Sequence, residues 1–207
     1  MLPAEELVHR CQAAPPDDLR AFELLVRQYQ ERVFATAYRL MGNRQDAEDM
    51  AQEVFLKVYR SIRDLSDPAT LTSWIYRITT NTCLDALTRR QRRPRTISLT
   101  PQPQGGDGEE AEEPRYADSQ TPTPEEAVLL SELQHCLEQA LVELDATARA
   151  ILVLRDVEGR AYQEIAENLA LGLSAVKMRI HRARLAFQEM LERVCPGTAQ
   201  PHRPAPS

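Results

Sequence analysis

The side chains best equipped for binding chemistry crowd into one stretch, YQEIAENLALGLSAVKMRIHRARLAF at residues 162–187. On a 3.6-residue helix, Met178, His181 and Arg182 share one side with Lys177 beside them, and Arg179 and Arg184 sit on the shoulders. Val176, Ile180, Ala183 and Phe187 fall at i, i+4, i+7 and i+11 on the opposite side. The chemistry this suits is non-covalent. Guanidinium and ammonium groups hold phosphates, while side chains on the same helix read base edges in a major groove. Ser174 has the right type for an N-cap, and Gly172 supplies permissive backbone for a tight turn. Tyr162, Ile165, Ala166 and Leu169 give the preceding segment a single apolar stripe, and Gly159 ends the helix before it. The pattern predicts a helix-turn-helix, although an ordinary helical hairpin with solvated arginines has the same periodicity.

Two further groups stand out. Asp46, Asp49, Gln52 and Glu53 form an acidic and amide ridge on a helix predicted over 46–62, away from most of Ala47, Met50, Ala51, Val54, Phe55, Val58 and Ile62. Such a ridge fits an arginine-rich partner or simply a solvated face. Arg89, Arg90, Arg92, Arg93 and Arg95 follow the third predicted helix, with Arg77 before them. This run can hold phosphates but reads no sequence by itself, and it also suits a helix end whose dipole favours cations.

Proline placement organises these groups. Of 14 prolines, only Pro68 lies between Pro16 and Pro94. Proline breaks helix interiors, so 17–67, 69–93 and 125–195 are free to be helical. Phe22, Leu25, Val26, Tyr29, Val33, Ala37 and Leu40 make a stripe ending at Gly42, and Leu71, Trp74, Ile75, Ile78, Cys83, Leu84 and Leu87 make another. Trp74 is expected in the core. Thr123, Pro124 and Glu126 read as N-cap, first helical residue and capping-box partner. Asp145 reads as the cap of a short helix running to about Val157. No strand-like alternation occurs, so the expected fold class is all-α: two small helical domains, residues 1–95 and 125–195, the second holding the helix-turn-helix.

Between them lies residues 96–124, read as a flexible acidic linker rich in proline and glycine that buries too little apolar surface to offset its ordering entropy. Residues 196–207 read as a disordered tail. The net charge of −6 is misleading as a guide to partners. Residues 1–95 carry 15 Lys/Arg against 13 Asp/Glu, whereas residues 96–126 carry one Arg against eight acids. The acid is concentrated away from the candidate surfaces. The four cysteines lie 53 residues or more apart with no CxxC pair, so incidental thiols are expected and neither a disulfide framework nor a zinc site. No cofactor is expected. No apolar run reaches spanning length, so no membrane insertion and a cytoplasmic location are expected.

Three segments in order resemble an extracytoplasmic-function (ECF) sigma factor, the small two-domain transcription initiation subunit of bacteria. DAEDMAQEVFLKVYRSI (46–62) is similar to region 2.2, TSWIYRITTNTCLDALTRRQRR (72–93) to regions 2.3 and 2.4, and YQEIAENLALGLSAVKMRIHRAR (162–184) to region 4.2. The resemblance implies that Asp46, Asp49, Gln52 and Glu53 grip the clamp helices of core RNA polymerase. It implies that Leu65, Arg77, Asn81, Arg89 and Arg90 serve the promoter −10 element, with Asn81 near a flipped base and the loop 65–70 completing its pocket. It implies that Lys177, Met178, His181 and Arg182 face the −35 groove, while Arg179 and Arg184 hold phosphates. It also implies an anti-sigma partner. The chain departs from the family pattern at Leu65, Ser66, Asp67 and Pro68, where an aromatic followed by Arg-Gly is common, and at Met178, where a small polar residue is common. The alternative is a stand-alone helix-turn-helix regulator, which needs a dimer interface and leaves the first block without a task. An enzyme is the weakest alternative, since no phosphate loop, acid/base pair or metal spacing is present.

Overall fold

A computed structural model describes residues 2–15, 18–92 and 123–196. Arg93, Arg95, most of the expected linker (96–122) and the tail from 197 lie outside the described residues. The all-α expectation holds, for every regular element among the described residues is helical.

The first helix, α1 (Ala4–Ala13), is one the proline map missed. Pro3 occupies its N-cap, and Ala14 at its C-cap is extended, as a residue before proline prefers. The prolines bracket this helix instead of excluding it. A ten-residue helix is marginal alone. Here Leu7 and Val8 are fully buried, each worth about 1.5–3 kcal/mol. They join Leu25, Val33, Val54, Val58, Leu71 and Ile75 in a core shared by α1, α2 (Arg20–Met41), α3 (Arg44–Ser61) and α4 (Leu71–Arg92). Helix α2 ends at Gly42, whose φ of 78° is a left-handed C-cap, and its amide donates to the Tyr38 carbonyl at 2.8 Å. Asn43 then caps α3, its side-chain oxygen accepting from the Asp46 amide at 2.8 Å.

The second block begins as its sequence predicts. Thr123 and Glu126 close a capping box at the start of α5 (Pro124–Glu143). Asp145 caps α6 (Ala146–Leu152) through the amides of Thr147 and Ala148, both at 3.0 Å. The chain continues through one wide turn, Val153–Val157, and stops before Gly159 at φ 66°. Helices α7 (Tyr162–Asn168) and α8 (Leu173–Val194) complete the block.

The two helical domains are packed together. Ala37, Leu40, Met41, Ala47 and Cys83 of the first block share one core with Ala150 and Val153 of the second. Arg149 is buried and donates to the carbonyls of Leu40, Val142 and Leu144. Glu158 accepts from the Thr36 hydroxyl at 3.1 Å and pairs with Arg39 at 3.7 Å. The Tyr76 phenol is pushed up to about 12, first by burial and then by its hydrogen bond to the Glu158 carboxylate. The Arg160 guanidinium lies 4.2 Å from the centroid of the Tyr76 ring. Apolar side chains and hydrogen-bonded polar groups make up the seam, although Nε of Arg149 and Nε of Arg160 are buried without a partner among the described residues.

The cysteines need one correction. Cys136 on α5 and Cys195 just past α8 form a disulfide across 59 residues of sequence. Helices α5 and α8 lie side by side in the fold, which a sequence gap conceals. Cys11 and Cys83 remain free thiols in the core. Burial pushes the Cys83 thiol up to about 12, so it stays protonated and unreactive.

Glu158 is the single carboxylate joining Thr36, Arg39 and Tyr76 across the seam. Its replacement in Glu158→Lys faces Arg39 with a like charge. Small-angle scattering should then give a larger radius of gyration than the parent chain, with helix content by circular dichroism unchanged. An unchanged radius would refute the latch.

Candidate nucleic-acid interface

The helix-turn-helix forms, but its turn is built differently from the sequence expectation. Helix α8 begins at Leu173, with Gly172 as its N-cap at φ −71° and no side-chain cap. Ser174 therefore lies inside the first turn and caps nothing. The left-handed residue is Ala170, at φ 51°. Its amide donates to the Glu167 carbonyl at 3.4 Å, and that of Leu171 donates to the Ala166 carbonyl at 2.9 Å. These two bonds are the paired closure of a Schellman motif, with Leu171 folding back onto the core that includes Ala166. The motif satisfies carbonyls that the end of α7 would otherwise orphan, and so it holds an alanine where glycine is usual.

Helix α8 then divides as its spacing predicts. Val176, Ile180 and Ala183 are buried against Ile151, Leu154, Ile165 and the end of α5. Lys177, Met178, Arg179, His181 and Arg182 are exposed, Met178 to 58%. The five make a convex, mostly cationic face with a thioether at its centre. Arg184 is also exposed but is held by Asp156, Nε to Oδ2 at 3.0 Å. The hydrogen bond and charge of Asp156 push its already high pKa up further, so it remains a cation whichever partner it has.

The residues expected at a second nucleic-acid surface converge only in part. Leu65, Trp74 and Arg77 line a cleft of about 450 Å³ with Ser61, Asp64, Ser66, Asp67, Thr70 and Ser73. Trp74 packs one side on the α1–α4 core and turns another to this cleft, so the core expectation covers half of its role. Asn81 is exposed one helical turn beyond Arg77 on α4 and does not line the cleft. Arg89 and Arg90 are exposed at the far end of α4, and Arg90 pairs with Asp46 at 2.7 Å. Asp67 and Pro68 account for the unusual loop sequence. The Asp67 carboxylate accepts from the Ala69 amide at 3.1 Å, and Pro68 opens a single tight turn that leads into α4.

Sequence reasoning missed the opposite wall of this cleft. Glu164, Glu167 and Asn168 of α7 complete it. No periodicity signals this, because the wall comes from the other block. Two carboxylates thus join those of Asp64 and Asp67 around the surface expected to hold phosphates, and the buried amide nitrogen of Asn168 finds no partner among the described residues.

The acidic ridge on α3 is also uneven. Asp49 and Gln52 are exposed. Glu53 is half-buried and pairs with Lys57 at 2.9 Å. Asp46 is committed twice, to Asn43 Nδ2 and to Arg90, each at 2.7 Å. Asp49 and Gln52 are therefore the ridge members most open to a partner. Among the described residues no cluster of ligand-type side chains could hold a metal ion, and no helix is long and apolar enough to cross a membrane.

Comparison with known proteins gives the same order of parts. The family model for sigma-70 region 2 matches residues 25–93, and that for sigma-70, region 4 matches residues 134–187. The chain is 40% identical over 189 residues to the ECF RNA polymerase sigma factor SigE of Mycolicibacterium smegmatis, covering 91% of this chain and 67% of that protein. It is 34% identical over 190 residues to the RNA polymerase sigma-H factor of Pseudomonas aeruginosa, covering 91% and 93%. Among solved structures, CnrH in complex with the cytosolic domain of CnrY aligns with a TM-score of 0.58 at 24% identity, over 92% of this chain and 99% of that one. The sigma factor RpoE of Bartonella quintana, solved with the anti-sigma factor NepR, aligns with a TM-score of 0.59 at 20% identity, over 83% and 96%.

The Schellman turn yields a paired prediction. Ala170→Gly removes the strain of a side chain at positive φ and should raise unfolding stability by about 1 kcal/mol. Gly172→Ala adds a Cβ that meets nothing within 4 Å at an ordinary φ, but alanine is a poorer N-cap than glycine, so it should be destabilising by roughly 0.5–1 kcal/mol. Urea titrations of the two variants check both signs.

Proposed function

Because the chain belongs to the ECF sigma factors of the sigma-70 family, RNA polymerase subunits that direct transcription initiation, we propose a division of labour between its blocks. Residues 1–95 act as the region 2 domain, binding core polymerase and the −10 element. Residues 125–195 act as the region 4 domain, binding the −35 element, with 96–124 as the linker and 196–207 as the tail. The chain carries no catalysis of its own and works in the cytoplasm.

The observation that carries the reading is the pair of exposed faces of opposite sign on the two family-matched blocks. On α3, Asp49 and Gln52, backed by Glu53 and Asp46, offer a ridge for a cationic partner, the clamp of core polymerase. On α8, Lys177, Met178, His181 and Arg182 face the −35 groove, while Arg179 and Arg184 take phosphates. Met178 gives the reading head an apolar centre, suited to a thymine methyl group. In the −10 element, Leu65, Arg77 and Asn81 flank the flipped base, with Arg89 and Arg90 on the backbone beyond. The step from Arg77 to Asn81 suits a single strand drawn along α4 rather than one base held in one pit.

The packed arrangement then represents the protein before it meets DNA. Glu164 and Glu167 occupy the side of the cleft from which a phosphate would approach. Like charge excludes that phosphate, so the blocks part before −10 DNA binds. A partner such as an anti-sigma factor acts by favouring the closed form. The Glu158→Lys chain supplies a functional check, since it should transcribe at lower core polymerase concentration than the parent.

Two further outcomes test the assignment. Asp49→Arg with Glu53→Arg should abolish capture by core polymerase while leaving the circular dichroism spectrum unchanged; undiminished capture removes the ridge from the interface. In runoff transcription over a panel of −35 variants, Arg182→Ala should relax preference at one position, the loss of a base contact costing ~1–3 kcal/mol. Arg179→Ala should weaken all members alike and flatten the salt dependence. Equal losses from Arg182→Ala across the panel would contradict the groove geometry.

A further inference from the structure

The loop that forms one wall of the −10 cleft does not hold itself in place. Helix α3 ends in a tight turn, Ile62–Asp64, and such an end leaves carbonyls without intrahelical partners. They are met from another helix. The half-buried side chain of Gln12, on the last turn of α1, brings its Nε2 to 3.0 Å from the Leu65 carbonyl, 3.4 Å from that of Ile62 and 3.5 Å from that of Arg63. A reciprocal tie runs back, for Arg63 donates to the Ala14 carbonyl at 2.9 Å. The Leu65 amide donates to the Ile62 carbonyl at 3.3 Å, so the backbone of Leu65 is pinned on both sides. Two residues later the Asp67–Pro68 turn fixes the chain again. Leu65 and Ser66, both lining the cleft, hang between these two supports.

Helix α1 is well placed to act as a fixed reference. Leu7 and Val8 are fully buried, and Cys11, adjacent to Gln12, is exposed to only 6%. The region 2 family match begins at residue 25, so α1 lies wholly outside it. We propose that Gln12 is a positioning residue for −10 recognition, setting the register of Leu65 and Ser66 against the base through the carbonyls at the end of α3. Gln12 touches no nucleic acid. Its amide donor fixes the wall, and the wall selects the base. This rests on the assignment of the cleft to the −10 element.

The test uses the full chain assembled with core polymerase. The probe is a promoter taken by the parent holoenzyme from a library randomised at −10 with fixed flanks, together with its single-base −10 variants. Gln12→Met keeps the length and helix preference of the side chain but removes the donor. Discrimination between the selected promoter and its variants should fall roughly three- to tenfold, the worth of one buried hydrogen-bond donor. Core polymerase affinity should stay at the parent value, and the thermal midpoint should fall by no more than about 2–4 °C. Gln12→Lys, which restores a donor of similar reach, should recover most of the discrimination. Unchanged discrimination in Gln12→Met overturns the proposal, as does a uniform loss over every −10 sequence with a thermal midpoint lowered beyond that range. Arg77→Ala and Asn81→Ala separate the two levels of the argument. If they alter the −10 response and Gln12→Met does not, the positioning role fails alone. If none of the three alters it, the assignment of the cleft fails as well.

Discussion

The closed molecule turns on one buried cation. The Arg149 guanidinium sits where the C-terminal ends of α2 and α5 meet, and it donates to the carbonyls of Leu40, Val142 and Leu144. Helix C-termini carry orphan carbonyls and the negative end of the macrodipole, so one planar fork satisfies both ends at once. Burial lowers the pKa of this group, but a guanidinium starts so high that it stays charged. Gly42 makes the approach possible. A Cβ there would lie 2.7 Å from Val142 Cγ2 and at a φ of 78°, so any other residue would be strained and would oblige Val142 to shift. The shared core of Ala37, Leu40, Cys83, Ala150 and Val153 depends on that closeness.

From this follows a partial cover over one of the two surfaces proposed to meet nucleic acid, while the reading face of α8 stays exposed. With the blocks in contact, α7 completes the cleft and adds the carboxylates of Glu164 and Glu167 to its lining. On α8, Asp156 occupies Arg184, and at the end of α4 Asp46 occupies Arg90. These last two pairs are substantially solvent-exposed, the class of ion pair worth roughly 0–1 kcal/mol. Such pairs exchange readily for phosphate, whose polyanion also releases counterions. An overall net charge of −6 is thus compatible with DNA binding, since the acids close to the cations are weakly held and replaceable.

Much of the architecture is legible in the chain because it is local. The stripes of α2, α3 and α8, the Thr123 box and the Asp145 cap each depend on residues within a few turns of one another, and each appears where periodicity and capping chemistry put it. What escaped is non-local or rests on backbone geometry. Helix α1 was hidden because prolines at both ends read as a break, whereas its stability comes from Leu7 and Val8 in a core made by other helices. Ala170 was passed over for Gly172 because composition favours glycine at a left-handed turn, and only the hydrogen bonds of Ala166 and Glu167 reveal where that turn lies. The Cys136–Cys195 bond and the Glu158 latch join helices whose adjacency no spacing encodes. The same holds for the site: the face of α8 was readable, but the second wall of the −10 cleft was not.

The closed and working forms impose opposite demands on one chain, and the division of supports reconciles them. The wall proposed to meet −10 DNA is fixed from within the first block, by α1 at Leu65 and by the Asp67–Pro68 turn, so its shape does not depend on the seam. The reading face of α8 is likewise fixed by Val176, Ile180 and Ala183 packed inside the second block. Opening therefore need not rebuild either surface. It breaks the shared core, the Arg149 bond to Leu40, the Tyr38–Glu138 hydrogen bond and the Glu158 contacts, while the bonds from Arg149 to Val142 and Leu144 stay within the second block. The chain between Arg92 and Thr123 sets only an upper limit on separation, roughly 100 Å if fully extended at about 3.3–3.6 Å per residue. That limit is generous, so the seam, rather than the connection, governs whether Glu164 and Glu167 of α7 stand over the cleft.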